Sequence, residues 1–471
     1  VANVDETKWP EHATRAERRA RGKAVRSTLP LKQLAELAPA PAERDAVALT
    51  IAADADRLPW LVPIRRGRML RSAFTFYRGS AGLMAYDLAQ SVHSDLTVQM
   101  CGDAHLLNFG LYGSPERSLV FDLNDFDETL PGPFCWDVKR LVTSMVVAAR
   151  DRGFKPKQQR EIARLTAERY RTAMAEFAAM TALETWHSQL EVDAAVRDVA
   201  DTDWRRFIER AADRARGKDH LQAVSRFTEV VDGRRRIVAD PPLIVPLSDL
   251  RDLVGEDPEA LARHVFLDYL ASVRDDVRVL LDRYTYVDSA IKVVGVGSVG
   301  TRCVIVLLQG ADENDLLFLQ VKEAGPSVFE PYLGASVYAH HGQRVVAGQR
   351  LMQSASDAFL GWATGPYKRE YYWRQLRDWK GSADVEQMNE KLLGLYGIVC
   401  ARTLAKAHAR SGDRVAISAY LGSSDRFDAA MVAFAETYAD RNEQDYDALK
   451  AAVADGRVDA RDDADDIVKS K

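Results

Sequence analysis

Between Tyr286 and Val321 the sequence stops reading like a helical protein, and that switch limits the folds open to the whole chain. Ser289-Ala-Ile-Lys-Val-Val294, Cys303-Val-Ile-Val-Leu-Leu308 and Leu316-Leu-Phe-Leu-Gln-Val321 are short runs rich in β-branched and apolar residues. Gly295-Val-Gly-Ser-Val-Gly300 joins the first two, and Gly310-Ala-Asp-Glu-Asn314 joins the next two. Three short strands linked by tight turns predict an antiparallel meander. Elsewhere the apolar residues recur at helical spacing, as at Val138, Leu141, Val142, Met145 and Ala149. The expected class is therefore α+β, a small antiparallel sheet set in a mainly helical chain.

At 471 residues the chain exceeds one ordinary core, so two lobes are expected. The periodicity divides it into an N-terminal arm (1–60), a large helical lobe (61–284), the small β lobe (285–380) and C-terminal helices (381–471) that complete the large lobe. The basic cluster Arg15-Ala-Glu-Arg-Arg-Ala-Arg-Gly-Lys23 reads as an exposed, loosely ordered arm. Leu96–Met100 and Ser118–Phe121 are strand candidates, with Asp122 at the exit of the second. Helices are expected over Ala81–Ala89, as two or three pieces within 156–215, and over 258–284, 337–356 and 385–409. Asp232-Gly233 signals a hairpin, Pro241–Pro246 an extended connector, and Arg369–Leu376 a further strand.

Hydrophobic content of 47% with 28% charge is that of a globular protein. A net charge of −5 argues against a general nucleic-acid binder. Four widely spaced cysteines, Cys101, Cys135, Cys303 and Cys400, form neither a disulfide framework nor a zinc ribbon, which suits a reducing cytoplasm. No apolar run is long enough to span a bilayer, so no membrane partner is expected. A cytoplasmic location follows as the expectation; oligomeric state is silent.

The chemistry concentrates in Cys101-Gly-Asp-Ala-His-Leu-Leu-Asn-Phe-Gly110 and in Leu119-Val-Phe-Asp-Leu-Asn-Asp-Phe-Asp127. A carboxylate at Asp103 can orient an attacking hydroxyl and accept its proton, while an amide oxygen five residues on, at Asn108, can ligate Mg²⁺. Asp122 or Asp125 would add the hard anionic oxygen that Mg²⁺ requires. The plain alternative is a polar turn followed by a solvated acidic loop. Gly295, Gly297, Ser298 and Gly300 belong to a G-x-G-x-x-G pattern shared by dinucleotide folds and kinase phosphate-covering loops. The residues after it read as a strand rather than a helix, which favours the kinase-type loop over a Rossmann turn with Glu323 as its ribose acid. Lys322 at the end of the third strand could clamp nucleotide phosphates, with Glu330 as the expected acidic partner. The backbone at Gln375 and Leu376 would lie where an interlobe connection carries adenine hydrogen bonds.

These motifs resemble the aminoglycoside and choline phosphotransferases of the protein-kinase-like superfamily. Asp103-Ala-His-Leu-Leu-Asn108 resembles their catalytic loop, typically H-G-D-x-H-x-x-N, with Cys101 in place of the first His. That resemblance makes His105 a second candidate catalytic residue beside Asp103. Val120-Phe-Asp122 resembles their metal motif. Pro133-Phe-Cys-Trp-Asp137 resembles the segment whose buried Asp braces the catalytic loop, and Gly397–His408 resembles the helix that normally precedes that loop. Read as 285–410 followed by 60–150, the chain gives the kinase order, so the resemblance implies a circularly permuted two-lobed fold. It implies ATP and Mg²⁺ as cofactors, and phosphoryl transfer to a small-molecule hydroxyl or amine. Residues 150–280 are expected to shape the acceptor pocket, though no motif in them names the acceptor.

Almost the whole chain is also similar to a bacterial family known as domain of unknown function 2252. Phe76-Tyr-Arg-Gly79, Phe121–Thr129, Val294–Arg302, Arg374-Gln-Leu-Arg-Asp378 and Ala407–Asp413 carry that likeness. The competing readings are AMP transfer, a non-catalytic nucleotide-binding scaffold, and a dehydrogenase. A zinc site at Cys101 and His105 would lack two ligands, and His408 with Asp413 reads as structural.

Overall fold

The computed structural model describes residues 12–218, 220–250, 258–293, 295–376 and 379–462. Val294, Arg377 and Asp378 lie outside the described residues. The strands in chain order are β1 (Thr97–Met100), β2 (Phe109–Gly113), β3 (Leu119–Leu123), β4 (Leu130–Pro133), β5 (Thr228–Val231), β6 (Arg234–Ile237) and β7 (Ile244–Pro246). They continue with β8 (Thr285–Lys292), β9 (Cys303–Gln309), β10 (Leu316–Glu323), β11 (Gly361–Thr364), β12 (Glu370–Gln375) and β13 (Gly381–Ser382). The molecule is α+β, and its strand pairings are antiparallel.

The meander forms as the sequence predicts and anchors a six-stranded sheet ordered β11-β12-β10-β9-β8-β7. The period of two explains its burial. Val306 and Leu308 of β9 face a cluster with Tyr269 and Leu270 of the helix Pro258–Ser272, while Ile305 and Leu307 face Phe227 and Ile237 on the opposite side. A strand covered on both faces reads as a continuous apolar run, which is why β9 lacks alternation. Burying each such Val or Leu stabilises the sheet by about 1.5–3 kcal/mol. Tyr269 stacks on Trp373 of β12 with ring centroids 4.5 Å apart, locking helix to sheet.

The large helical body is built around Phe134–Asp151, buried from Phe134 to Ala149. Pro133 precedes it at φ −62°, and it ends where Gly153 takes φ 70° and Phe154 N donates to Ala149 O at 2.9 Å. The helices Pro156–Ala179, Glu390–Ser411 and Arg426–Ala454 pack around it. Among the described residues, no helix is long and apolar enough to cross a membrane.

Several segments differ from their sequence expectation. The basic stretch is not a loose arm: Arg15–Thr28 is a helix with a Thr14–Glu17 capping box, packed along Arg414–Leu421. Residues 156–215 hold four helices, because residues 180–181, 188–191 and 199–201 interrupt the pattern. The connector at Pro241–Pro246 contains a cis Pro241–Pro242 bond and then adds β7 to the edge of the sheet. The helix expected over 337–356 is shorter, His341–Met352, and β11 follows it. Strand β3 runs on to Leu123, so Asp122 lies within it rather than at its exit. The Asp232-Gly233 hairpin forms, with φ of 49° and 73°.

Candidate functional site

The loop after β1 is held from beneath. Asp137, in the first turn of the Phe134–Asp151 helix, accepts from Cys101 N at 2.8 Å and Gly102 N at 3.0 Å. It also meets His408 Nε2 at 3.1 Å, and His408 Nδ1 meets the Tyr170 hydroxyl at 2.8 Å. His408 is therefore structural, and Asp413 caps the next helix by accepting from Ala416 N. Gly102 has φ 87°, and a Cβ there would sit 2.4 Å from Glu128 O, so the loop closes against the acidic loop only with glycine.

Asp103 follows, about a fifth exposed, and accepts from Arg140 Nε at 2.9 Å. Arg140 also donates to Tyr77 O at 2.7 Å and lies 3.8 Å over the Tyr77 ring, so its guanidinium is fixed on three sides. Asn108 Nδ2 donates to Asp103 O at 2.6 Å, which leaves the amide oxygen as its remaining polar atom. His105 is buried, and its Nδ1 accepts from Leu107 N at 3.2 Å. Burial pushes its pKa down to about 4 against the pull of Asp103, so the ring is neutral at pH 7.

The acids of the next segment divide by burial. Asp122, expected as a metal ligand, is sealed in the core, where it pairs with Lys406 and accepts from Leu123 N at 2.9 Å. The extra strand length turns it away from the loop, and its charge is spent on the buried lysine. Asp125 and Asp127 lie past the strand and are about a third exposed, at 32% and 29%. Lys322 Nζ reaches Asp127 Oδ2 at 2.5 Å and Asp125 Oδ1 at 3.7 Å. Tyr372 Oη donates to Asp127 Oδ1 at 2.6 Å. Burial opposes the charge on Lys322, but Asp125 and Asp127 outweigh it and raise its pKa well above the usual range. Burial likewise opposes the charge on Asp125, and Lys322 and Arg374 outweigh it and hold that carboxyl low.

The glycine turn joins β8 to β9, antiparallel strands, rather than opening a helix as a dinucleotide fingerprint does. Glu323, the would-be ribose acid, is paired with Arg302 at 3.1 Å and Arg369 at 2.5 Å. Helical pieces from before Asp103 grip the turn: Leu58 N donates to Gly300 O at 2.7 Å, Arg57 Nη1 to Val299 O at 2.5 Å and Arg68 Nη1 to Gly295 O at 2.7 Å.

These segments enclose one cavity of about 320 Å³, whose lining includes neither Gly300 nor the buried Lys322. Its lining includes Asp103, His105, Asn108, Asp125 and Asp127, the glycine-turn residues Gly295, Gly297 and Ser298, and Arg57, Arg65 and Arg78. None of the described residues within 150–280 lines it; residues 190–211 instead border an apolar cavity of about 190 Å³ beside Leu111 and Phe121. Sequence reasoning missed Arg78, Arg140, Asp127 and Arg344. The last donates to the carbonyls of Thr129, Asp127 and Gly325 at 2.7–2.8 Å and so ties the acidic loop to the small sheet. Arg78 stood in the Phe76-Tyr-Arg-Gly79 stretch and Asp127 in the acidic Leu119–Asp127 stretch, and nothing in the sequence pointed to Arg140 or Arg344.

Besides Asp122, three expected residues lie elsewhere. Glu330 is not the partner of Lys322: it accepts from Ser327 N at 3.1 Å and lies near His341 and Arg344 at 3.7 and 3.8 Å. Gln375 and Leu376 border a separate cavity of about 230 Å³ with Arg374 and Lys380. Their N–H groups are taken internally, by Asp357 Oδ2 at 2.7 Å and Phe318 O at 3.1 Å, so they have no donor left for a base edge.

Among the described residues, no three His, Cys, Asp or Glu side chains form a metal cluster. That does not rule out Mg²⁺, which commonly takes one or two protein oxygens and completes its shell with water and substrate phosphates. The free amide oxygen of Asn108 and the exposed edge of Asp125 suit that role; Asp122 does not. The family described as an uncharacterized protein conserved in bacteria (DUF2252) matches residues 57–452, and the chain belongs to it. No curated protein and no solved structure matches the chain.

Proposed function

For a chain whose family names no reaction, we propose an ATP- and Mg²⁺-dependent phosphotransferase acting on a small-molecule hydroxyl or amine, with a circularly permuted kinase-like arrangement. One observation carries the reading. Segments almost two hundred residues apart, the glycine turn at 295–300 and the Asp103–Asn108 loop with Asp125, line the same cavity, and Lys322 reaches across to Asp125 and Asp127. The bracing of Cys101 and Gly102 by Asp137 supports it, because the resembling enzymes use a buried Asp in that segment in the same way.

In this reading Asp103 accepts the proton of the acceptor, and the Arg140 guanidinium keeps its carboxylate pointed at one place. Orientation of this kind is where positioning lowers a barrier. Asn108 and Asp125 would hold Mg²⁺, which when bound neutralises charge on the phosphates. Lys322, already poised against Asp127, supplies a fixed cation for the same phosphates. His105 stays neutral and supports the loop through Leu107 N.

ADP formation from ATP, measured with and without Mg²⁺, tests the reading. Asp103→Asn should retain nucleotide binding and lose turnover; wild-type protein that never turns over ATP with any hydroxylated or aminated acceptor would overturn it. A second reading, AMP transfer, draws on the engaged N–H groups of Gln375 and Leu376, which leave adenine free to lie in another orientation. Mass spectrometry of the product separates the two, since one acceptor gains phosphate and the other gains AMP.

A further inference from the structure

Of the three arginines that line the cavity, two have an acid partner and one does not. Asp54 is shared by three guanidiniums: Arg65 at 2.9 Å, Arg66 at 2.9 Å and Arg57 at 3.6 Å. Arg78, on the helix Ala73–Gly79, has none of it. Its Nε is sealed from solvent with nothing to donate to, and its side chain makes no hydrogen bond or ion pair among the described residues. Burial pushes its pKa down, the field of Asp103 opposes that, and Arg68 adds to it. A guanidinium has five donors in a planar fork and stays charged in proteins, so leaving it desolvated and unpaired is unfavourable unless an anion completes it.

The place of Arg78 restricts that anion. The side chain lines the same cavity as Asp103, where the acceptor's nucleophile must lie for its proton to be taken. The phosphates of the nucleotide have their own holders in the glycine turn, Lys322 and the Asn108–Asp125 pair. We propose that Arg78 binds a phosphate or carboxylate group carried by the acceptor, so that the substrate is an anionic small molecule with a nucleophilic group at Asp103. This rests on the phosphotransferase reading for the word acceptor, and on the cavity alone for the anion site. Arg57 and Arg65, already tied to Asp54, add field without competing for the ligand.

Titration with inorganic phosphate tests it, on wild-type protein, Arg78→Gln and Arg78→Lys, each alone and saturated with Mg²⁺ and the non-hydrolysable analogue AMP-PNP. Phosphate should bind wild type in both states. Arg78→Gln should weaken phosphate by about tenfold or more, with Arg78→Lys between, and leave AMP-PNP affinity unchanged. Phosphate that competes with AMP-PNP, together with weaker AMP-PNP binding by Arg78→Gln, overturns the proposal by giving the arginine to the nucleotide. Phosphate binding equal in wild type and Arg78→Gln also overturns it. Uptake of phosphate through Arg78 by a protein that takes up no AMP-PNP supports the anion site and overturns the phosphotransferase reading instead. The melting temperature of Arg78→Gln should hold or rise, since an unpaired charge is removed; a marked fall makes Arg78 structural and overturns the proposal.

Discussion

Lys406→Met separates the structural acid from the functional one. Asp122 and Lys406 form an ion pair with side chains 4% and 3% exposed, and the remaining partner of Asp122 is Leu123 N. Truncating the lysine leaves a carboxylate in the core with one backbone donor. Breaking a buried pair from one side destabilises by about 3–5 kcal/mol, because the orphaned charge keeps its desolvation penalty. At roughly 2.1 cal/mol/K of unfolding entropy per residue, a body this size loses about 1 °C for each kcal/mol, so scanning calorimetry should record a fall of about 3–5 °C. The double variant Asp122→Asn with Lys406→Met should recover most of that loss, since neither charge remains. Asp125→Asn should behave in the opposite way: that side chain is 32% exposed and shares Lys322 with Asp127, so stability holds while Mg²⁺-dependent nucleotide binding falls. A change under about 0.5 kcal/mol for Lys406→Met would refute the reasoning. So would an Asp122→Asn protein, stable as wild type, that has lost its Mg²⁺ dependence.

The pKa of His105, lowered from 6.5 to about 4, means that the unfolded chain takes up a proton in that interval and the folded chain does not. The stabilisation is complete above about pH 6.5 and is lost as pH falls towards 4, by an amount on the order of 3 kcal/mol; His105→Gln should flatten that part of the stability profile, read from urea midpoints. Glu128 runs the other way. Burial raises its pKa from 4.5 to about 7, so the folded chain retains a proton that the unfolded chain has lost, and stability declines as pH rises through that range. Glu128→Gln keeps an acceptor for Val328 N, and its stability should exceed wild type above pH 7; a variant less stable there contradicts the assignment. Asp137→Ala strands two loop N–H groups and the His408 ring, each loss being about 1–3 kcal/mol, so it should melt well below wild type. A melting point close to wild type would mean that the brace is not needed.

What the sequence made legible follows from how local each signal is. The meander was readable because its turns and strands are adjacent, and the Phe134–Asp151 helix because its apolar stripe is complete. The basic N-terminal helix was hidden by composition: its stabilising contacts, with residues 414–421, lie almost four hundred positions away. Asp122 illustrates the same gap. A strand exit was placed by where the apolar run stops, yet β3 continues through the acid because Lys406, on a distant helix, makes burial of that charge tolerable. Lys322 was recognised from its strand, but its acidic partners come from the loop after β3, so no search along neighbouring helices could reach them. Arg78 stood within a distinctive stretch without visible purpose, because its meaning lies in what it fails to touch.

A crystal structure of the chain with Mg²⁺ and AMP-PNP tests the central claim most directly. The account predicts phosphates beneath Gly295–Gly300 and beside Lys322, with Mg²⁺ about 2.0–2.1 Å from oxygens of Asn108 and Asp125. Nucleotide found in the cavity beside Gln375 and Lys380, or metal held by Asp122, would contradict it.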